Sequence, residues 1–179
     1  NGVGKPLPQV LKRSGMLWYE MKSTEVAELF TMMNPDKRLF FARFQGAPAF
    51  VNQRLIGLTR KQGCEDIELY HALLNSMFTM FSIEASGFGR GLGVLDINKD
   101  TLAGCRMLNP DLVSEKDRIC ILEAFSTLEK RRILPVPEEL EQNDRIVFEK
   151  TVFSAFGLEN EIEYVKNSLL SMQVVLSDT

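Results

Sequence analysis

The sequence is short of the residues that build disulfide frameworks and metal sites. Its 179 residues include 3 cysteines and 1 histidine. Cys64, Cys105 and Cys120 contain no CxxC pair. A structural zinc site needs four ligands in close pairs and a disulfide framework an even count, so neither is expected. Three buried thiols in a reducing cytoplasm is the simpler reading. A membrane span needs roughly 18 or more apolar residues in a row. None exists, and the stretch from Met77 to Ile83 is broken by Thr79 and Ser82. The segment Asn1 to Pro8 lacks the basic and apolar regions of a secretion signal and does not begin with Met. It reads as the start of a piece cut from a longer protein. With 45% hydrophobic and 9% aromatic residues, 12 Gly and 7 Pro, the chain is neither disordered nor collagen-like, and it can bury one ordinary core.

Catalytic constellations are equally scarce. A Ser/His/Asp or Cys/His relay would have to use His71, which helical spacing puts on the polar side of its segment. The glycine run Gly87-Phe88-Gly89-Arg90-Gly91-Leu92-Gly93 lacks both the spacing of a dinucleotide loop and the Lys-Ser/Thr of a phosphate loop. It also follows a helix and precedes a strand, the reverse of what would aim a helix N-terminus at phosphate. The glycines serve either a tight bend or a close approach to a ligand. In the second case Phe88 would wedge or stack and Arg90 would donate to a phosphate or a guanine edge.

What the sequence does have is divided charge. The net charge is −3. Residues 1–112 hold 13 Lys and Arg against 11 Asp and Glu, a balance of +2, while 113–179 hold 8 against 13, a balance of −5. From Lys37 to Cys64 there are six cations, Lys37, Arg38, Arg43, Arg54, Arg60 and Lys61, and no acid. Such a stretch either solvates one face or meets a polyanion, since charge acts locally over about 8 Å at physiological salt.

Patterning predicts an α+β fold. Residues 1–15 read as a linker. Ser23 or Thr24 would cap a short helix through Val26, Leu29, Phe30 and Met33, ended before Pro35. The β-prone segments 38–44 and 49–56 flank Gln45-Gly46-Ala47-Pro48 and read as a hairpin. Asp66 would cap a core-facing helix to residue 83 carrying Ile67, Tyr70, Leu73, Leu74, Met77, Phe78 and Phe81 at a spacing of three to four. A strand is expected near 92–97, joining the hairpin in one small twisted sheet, and a single helical turn over 98–105. Beyond Leu112 everything reads helical: 115–130 capped by Ser114, 138–156 opened by Pro137, and about 159–173. The expected organisation is therefore an α+β unit over 16–112 and a helical unit over 113–179.

Several of these segments, in this order, resemble a known family. Trp18-Tyr19-Glu20, the basic segments Arg38–Phe44 and Phe50–Arg54, Leu73-Leu74-Asn75-Ser76, the glycine run into Gly93-Val94-Leu95-Asp96-Ile97, and Leu108-Asn109-Pro110 resemble the C-terminal target-recognition region of bacterial DNA adenine methyltransferases of restriction–modification systems. Arg132–Val136, Asp144–Phe148 and Val152–Leu158 are similar to the ends of such enzymes. The resemblance spans about residues 16–160. It implies a partner in double-stranded DNA and a catalytic methyltransferase domain, in the same or a partner chain, that binds S-adenosylmethionine and flips the adenine out. The family's Phe-x-Gly-x-Gly donor loop and Asn/Asp-Pro-Pro-aromatic tetrapeptide are absent: Asn34-Pro35-Asp36-Lys37 and Asn109-Pro110-Asp111-Leu112 lack the second Pro and the aromatic. No cofactor, metal or methyl transfer is therefore expected in this segment itself. Candidate DNA contacts are Arg38, Arg43, Arg60 and Lys61 on phosphates, Asn52 and Arg54 on base edges, and Phe88 and Arg90 in the glycine run. In a strand Gln53 points opposite to Asn52 and Arg54, so only one set reaches DNA. A specificity subunit without methyltransferase motifs, and a protein-interaction or dimerisation domain, are the competing readings.

Overall fold

The structure, a computed structural model, describes residues 26–35, 37–46, 54–86, 88–90 and 94–177. It is α+β, as the patterning predicts. Three strands, β1 (Leu29–Met32), β2 (Ala42–Arg43) and β3 (Leu55–Leu58), form an antiparallel sheet in the order β2-β1-β3. The expected helix through Leu29 and Phe30 is thus the central strand. Leu29 and Thr31 are buried while Phe30 and Met32 are half-buried, a period of two. Strands on both sides satisfy the β1 backbone, and this pairing overrides a local pattern that suited either structure. The expected hairpin is corrected in the same way. Among the described residues its two arms do not pair with each other; Phe30 pairs with Ala42 on one side and with Gly57 on the other. The connection at 47–53 lies outside the described residues.

The strand expected near 92–97 also joins a different partner. β4 (Phe88–Arg90) and β5 (Val94–Asp96) form a separate antiparallel ribbon, with Arg90 opposite Val94. The ribbon is tied to β1, because Ile97 N–H donates to the Met33 carbonyl at 2.9 Å and the Asn34 amide to Asp96 at 3.2 Å.

The helix expected over 66–83 is two helices, α1 (Ile67–Leu74) and α2 (Met77–Ser86), broken at Asn75-Ser76. Asp66 caps α1 through the Leu69 amide at 3.0 Å and also accepts from Arg118, which holds its carboxyl below the ordinary range. Asp66→Ala should cost about 1–2 kcal/mol, the usual loss for an N-cap. The measurement is the urea midpoint at neutral pH, and an unchanged midpoint would refute the capping role. α3 (Lys99–Gly104) is capped by Asn98, and a 3-10 turn follows at Pro110–Leu112. The helical part comprises α4 (Glu115–Glu129), capped by Ser114, the single turn α5 (Val136–Glu139), α6 (Asn143–Ala155), a 3-10 turn at Glu159–Glu161 and α7 (Ile162–Ser177). The segment expected to be one helix over 138–156 is interrupted between Leu140 and Gln142.

One apolar core runs through both parts. Leu39, Phe41 and Ile56 from the sheet side meet Leu73 and Met80 of α1 and α2, and Phe125, Phe148 and Leu169 of the C-terminal helices. The position near 112 where strands give way to helices is therefore bridged by packing. Two further expectations are corrected by burial. His71 is buried rather than on a polar face. Cys120 is exposed and Cys64 and Cys105 half-buried, so the three thiols are not a buried set. Among the described residues no helix is long and apolar enough to cross a membrane.

Candidate nucleic-acid interface

The stretch from Lys37 to Cys64 is free of acids in sequence but not in space. Arg60 donates from Nε to Glu28 at 2.9 Å and pairs through Nη2 at 2.7 Å. Arg43 pairs with Glu68 at 3.1 Å. Both cations remain substantially exposed. Exposed ion pairs are worth little, so each can exchange its carboxylate for a phosphate at small cost. The Arg60 pair holds the Glu28 carboxyl below its ordinary range.

Arg38 is different. It points inward with its side chain 10% exposed, beside Glu139 at 3.5 Å. Burial, reinforced by the neighbouring Arg145 charge, pulls its guanidinium down to about 10. A cation so placed is no outward phosphate clamp, and Arg38 leaves that set. Arg54 and Lys61 are exposed. Asn52 lies outside the described residues, whereas Phe88 and Arg90 occupy β4.

The sheet register shows which of these the fold brings together. Met33 N–H donates to the Arg54 carbonyl at 3.0 Å, and Ile97 N–H to the Met33 carbonyl at 2.9 Å. Arg54, Asn34 and the base of the β4–β5 ribbon therefore meet at the C-terminal end of β1. Arg43 pairs opposite Leu29, and Glu28 N–H donates to the Leu58 carbonyl at 3.1 Å, so Arg43 and Arg60 gather at the other end. A four-residue strand spans roughly 14 Å, which separates the two groups. Beside the Arg60 end lies a largely apolar cleft of about 610 Å³ bordered by Lys61, Lys99 and Tyr70.

Sequence reasoning missed a buried ionic cluster on the far side of β2. Arg131 forks onto Glu139 at 2.9 and 3.0 Å and reaches Asp144 at 2.6 Å. Arg145 pairs with Glu149 at 2.7 Å and donates to the Asn75 carbonyl at 2.9 Å. The available signal was Arg145 and Glu149 four apart in a helix whose neighbours Phe148, Val152 and Phe153 are core residues. His71 sits nearby, with Nε2 at 2.8 Å from the Phe41 carbonyl and Nδ1 at 3.2 Å from Glu129. Burial pulls its imidazole below the ordinary value, against the upward pull of Phe41 and Glu129.

No protein-family model, no curated protein and no solved structure matches the chain.

Proposed function

We propose that this chain is a sequence-reading DNA-binding module, the target-recognition part of a bacterial adenine methyltransferase of a restriction–modification system, acting in the cytoplasm. The observation that carries the reading is the antiparallel β4–β5 ribbon, which includes Arg90 and is tied to the sheet at the end where Arg54 lies. A two-stranded ribbon fits the major groove of B-DNA, about 12 Å wide, and arginine there reads guanine through O6 and N7. Arg43, Arg60 and Lys61, about one strand length away, supply phosphate contacts that set register without reading sequence. Catalysis and S-adenosylmethionine belong to a methyltransferase domain in the same polypeptide, or in a partner chain if this is a specificity subunit.

A preferred site is first enriched from a randomised duplex pool, and binding is then followed by fluorescence anisotropy over a salt series. Lys61→Ala or Arg43→Ala should weaken all sequences alike and reduce the salt slope by about one for each phosphate that is no longer neutralised. Arg54→Ala and Arg90→Ala should cost about 1–3 kcal/mol at particular base pairs and relax specificity there. Uniform losses for all four variants would overturn this division of roles.

A second reading, a protein-interaction domain, is favoured by the exposed apolar side chains Val147 and Tyr164 of the helical part and Leu112 in the turn before it. Absence of salt-sensitive duplex binding would select it.

A further inference from the structure

β3 is an outer strand of the three-stranded sheet, and among the described residues its far side is unpaired. Met33 N–H donates to the Arg54 carbonyl and Glu28 N–H to the Leu58 carbonyl, so Arg54, Ile56 and Leu58 turn their backbone groups toward β1. The alternation of an antiparallel pair then turns the N–H and C=O of Leu55 and Gly57 outward. Among the described residues nothing donates to or accepts from these four groups. An edge of this kind is a template for one more strand. The largely apolar cleft of about 610 Å³ opens along the same edge, because four consecutive residues, Ile56 to Thr59, line it. Side chains of a strand alternate between its faces, so an unbroken run of lining residues includes the backbone seen side-on. Tyr70 and Leu74 of α1, Leu102 of α3 and Met107 form the opposite wall. The exposed Lys61 and Lys99 also line the cleft, without an ion-pair partner among the described residues, and no described lining residue is acidic.

We propose that this cleft docks an extended acidic peptide segment of a partner protein, which adds as a strand to the β3 edge and seats alternate apolar side chains between β3 and α1. The unpaired N–H and C=O groups take the peptide backbone, and pockets for alternate side chains select its sequence. Period two places every second side chain of the added strand on the face where Ile56 points, against the apolar wall. Carboxylates between those positions meet Lys61 and Lys99, which have no counter-charge of their own. A cleft of this volume lies in the ordinary range of ligand sites, about 300–1,000 Å³. The inference stands apart from the DNA reading, and Lys99 and Ala103, on which it is tested, belong to none of the DNA contacts proposed above.

The test selects binders to the full 179-residue chain from a displayed library of short randomised peptides, then titrates the enriched peptide, labelled with fluorescein, by anisotropy. The enriched sequences should carry apolar residues at every second position with Asp or Glu among them, and binding should saturate. N-methylation walked along the peptide should weaken binding about tenfold or more at every second amide and leave the intervening amides unaffected, because only alternate amides pair with β3. Lys99→Glu should weaken binding several-fold, most at low salt. Ala103→Trp places a large side chain at an exposed cleft position of α3 and should block the peptide. Both variants should melt as the wild type does, and the N-methyl series, run on wild type, decides the matter if either melts lower. No enriched sequence, binding indifferent to N-methylation, or equal affinity for wild type and both variants overturns the proposal. A dimer in sedimentation that Ala103→Trp dissociates also overturns it, since the occupant would then be a second copy of the chain.

Discussion

Replacing Glu149 by alanine should destabilise the chain by about 3–5 kcal/mol, whereas glutamine at the same position should be tolerated and should flatten the pH dependence of stability. One oxygen of Glu149, Oε1, does the structural work. It accepts the Met77 amide at 2.9 Å and Arg145 Nη2 at 2.7 Å, joining the start of α2 to α6. Alanine strands both a buried cation and a buried amide. Glutamine keeps an oxygen for both donors, and its amide replaces Oε2, which has no partner. The sign of the pH effect follows from burial, which raises the Glu149 carboxyl to about 7 despite Arg145. Its contribution is fully present below the unfolded carboxyl value of about 4.5 and is lost as pH rises through about 7. At about 1.4 kcal/mol per unit the loss is at most about 3–4 kcal/mol. His71, held low by burial, acts in the opposite sense, losing its contribution as pH falls below about 6.5. Urea unfolding of wild type and both variants from pH 5 to 8 separates the two. An alanine variant within about 1 kcal/mol of wild type, or a glutamine variant that keeps the full wild-type slope, would falsify this account.

The same residues show what could be read from sequence. Helix starts were legible where the chemistry is local: Asp66, Asn98 and Ser114 each cap the helix that follows, because a short side chain accepting an amide two or three residues on is a property of the segment itself. Leu29–Met32 was not legible as a strand, because its apolar residues suit both periods and its neighbours come from positions 42–43 and 55–58. The interface residues divide on the same principle. That Arg38, Arg43 and Arg60 are cationic is local, but their partners Glu139, Glu68 and Glu28 arrive from outside the acid-free stretch. An inventory of charge along the chain sees the cations and not the pairing.

Asn75→Ala should cost about 2–4 kcal/mol, because this side chain acts as an extra peptide unit. Its Oδ1 accepts the Phe41 N–H at 3.0 Å, and its Nδ2 donates to the Phe41 carbonyl and to the His71 carbonyl, both at 2.9 Å. The amide thus pairs with both backbone groups of Phe41 as a neighbouring strand would, from the end of a helix. In the alanine variant the Phe41 carbonyl keeps His71 Nε2, but the Phe41 N–H is buried without a partner, which alone costs about 1–3 kcal/mol. Asn75→Asp is the sharper variant. It has the same shape, yet an oxygen replaces Nδ2 opposite two carbonyls, so it should be at least as damaging as alanine at neutral pH. Protonation restores one donor, so the folded-state carboxyl is raised and part of the aspartate loss should be recovered as pH falls. Hydrogen exchange adds a local reading: the Phe41 amide should lose protection beyond the global change in both variants. An alanine variant within about 0.5 kcal/mol of wild type, or a Phe41 amide that stays protected, would remove Asn75 from this role. The outcome also bears on function. Leu73-Leu74-Asn75-Ser76 is one of the segments that carries the methyltransferase resemblance, and its asparagine is 6% exposed beneath β2. A motif residue placed there acts by fixing the segment that leads into Arg43, so on the proposed DNA-binding reading Asn75 contributes through that positioning and not by touching DNA.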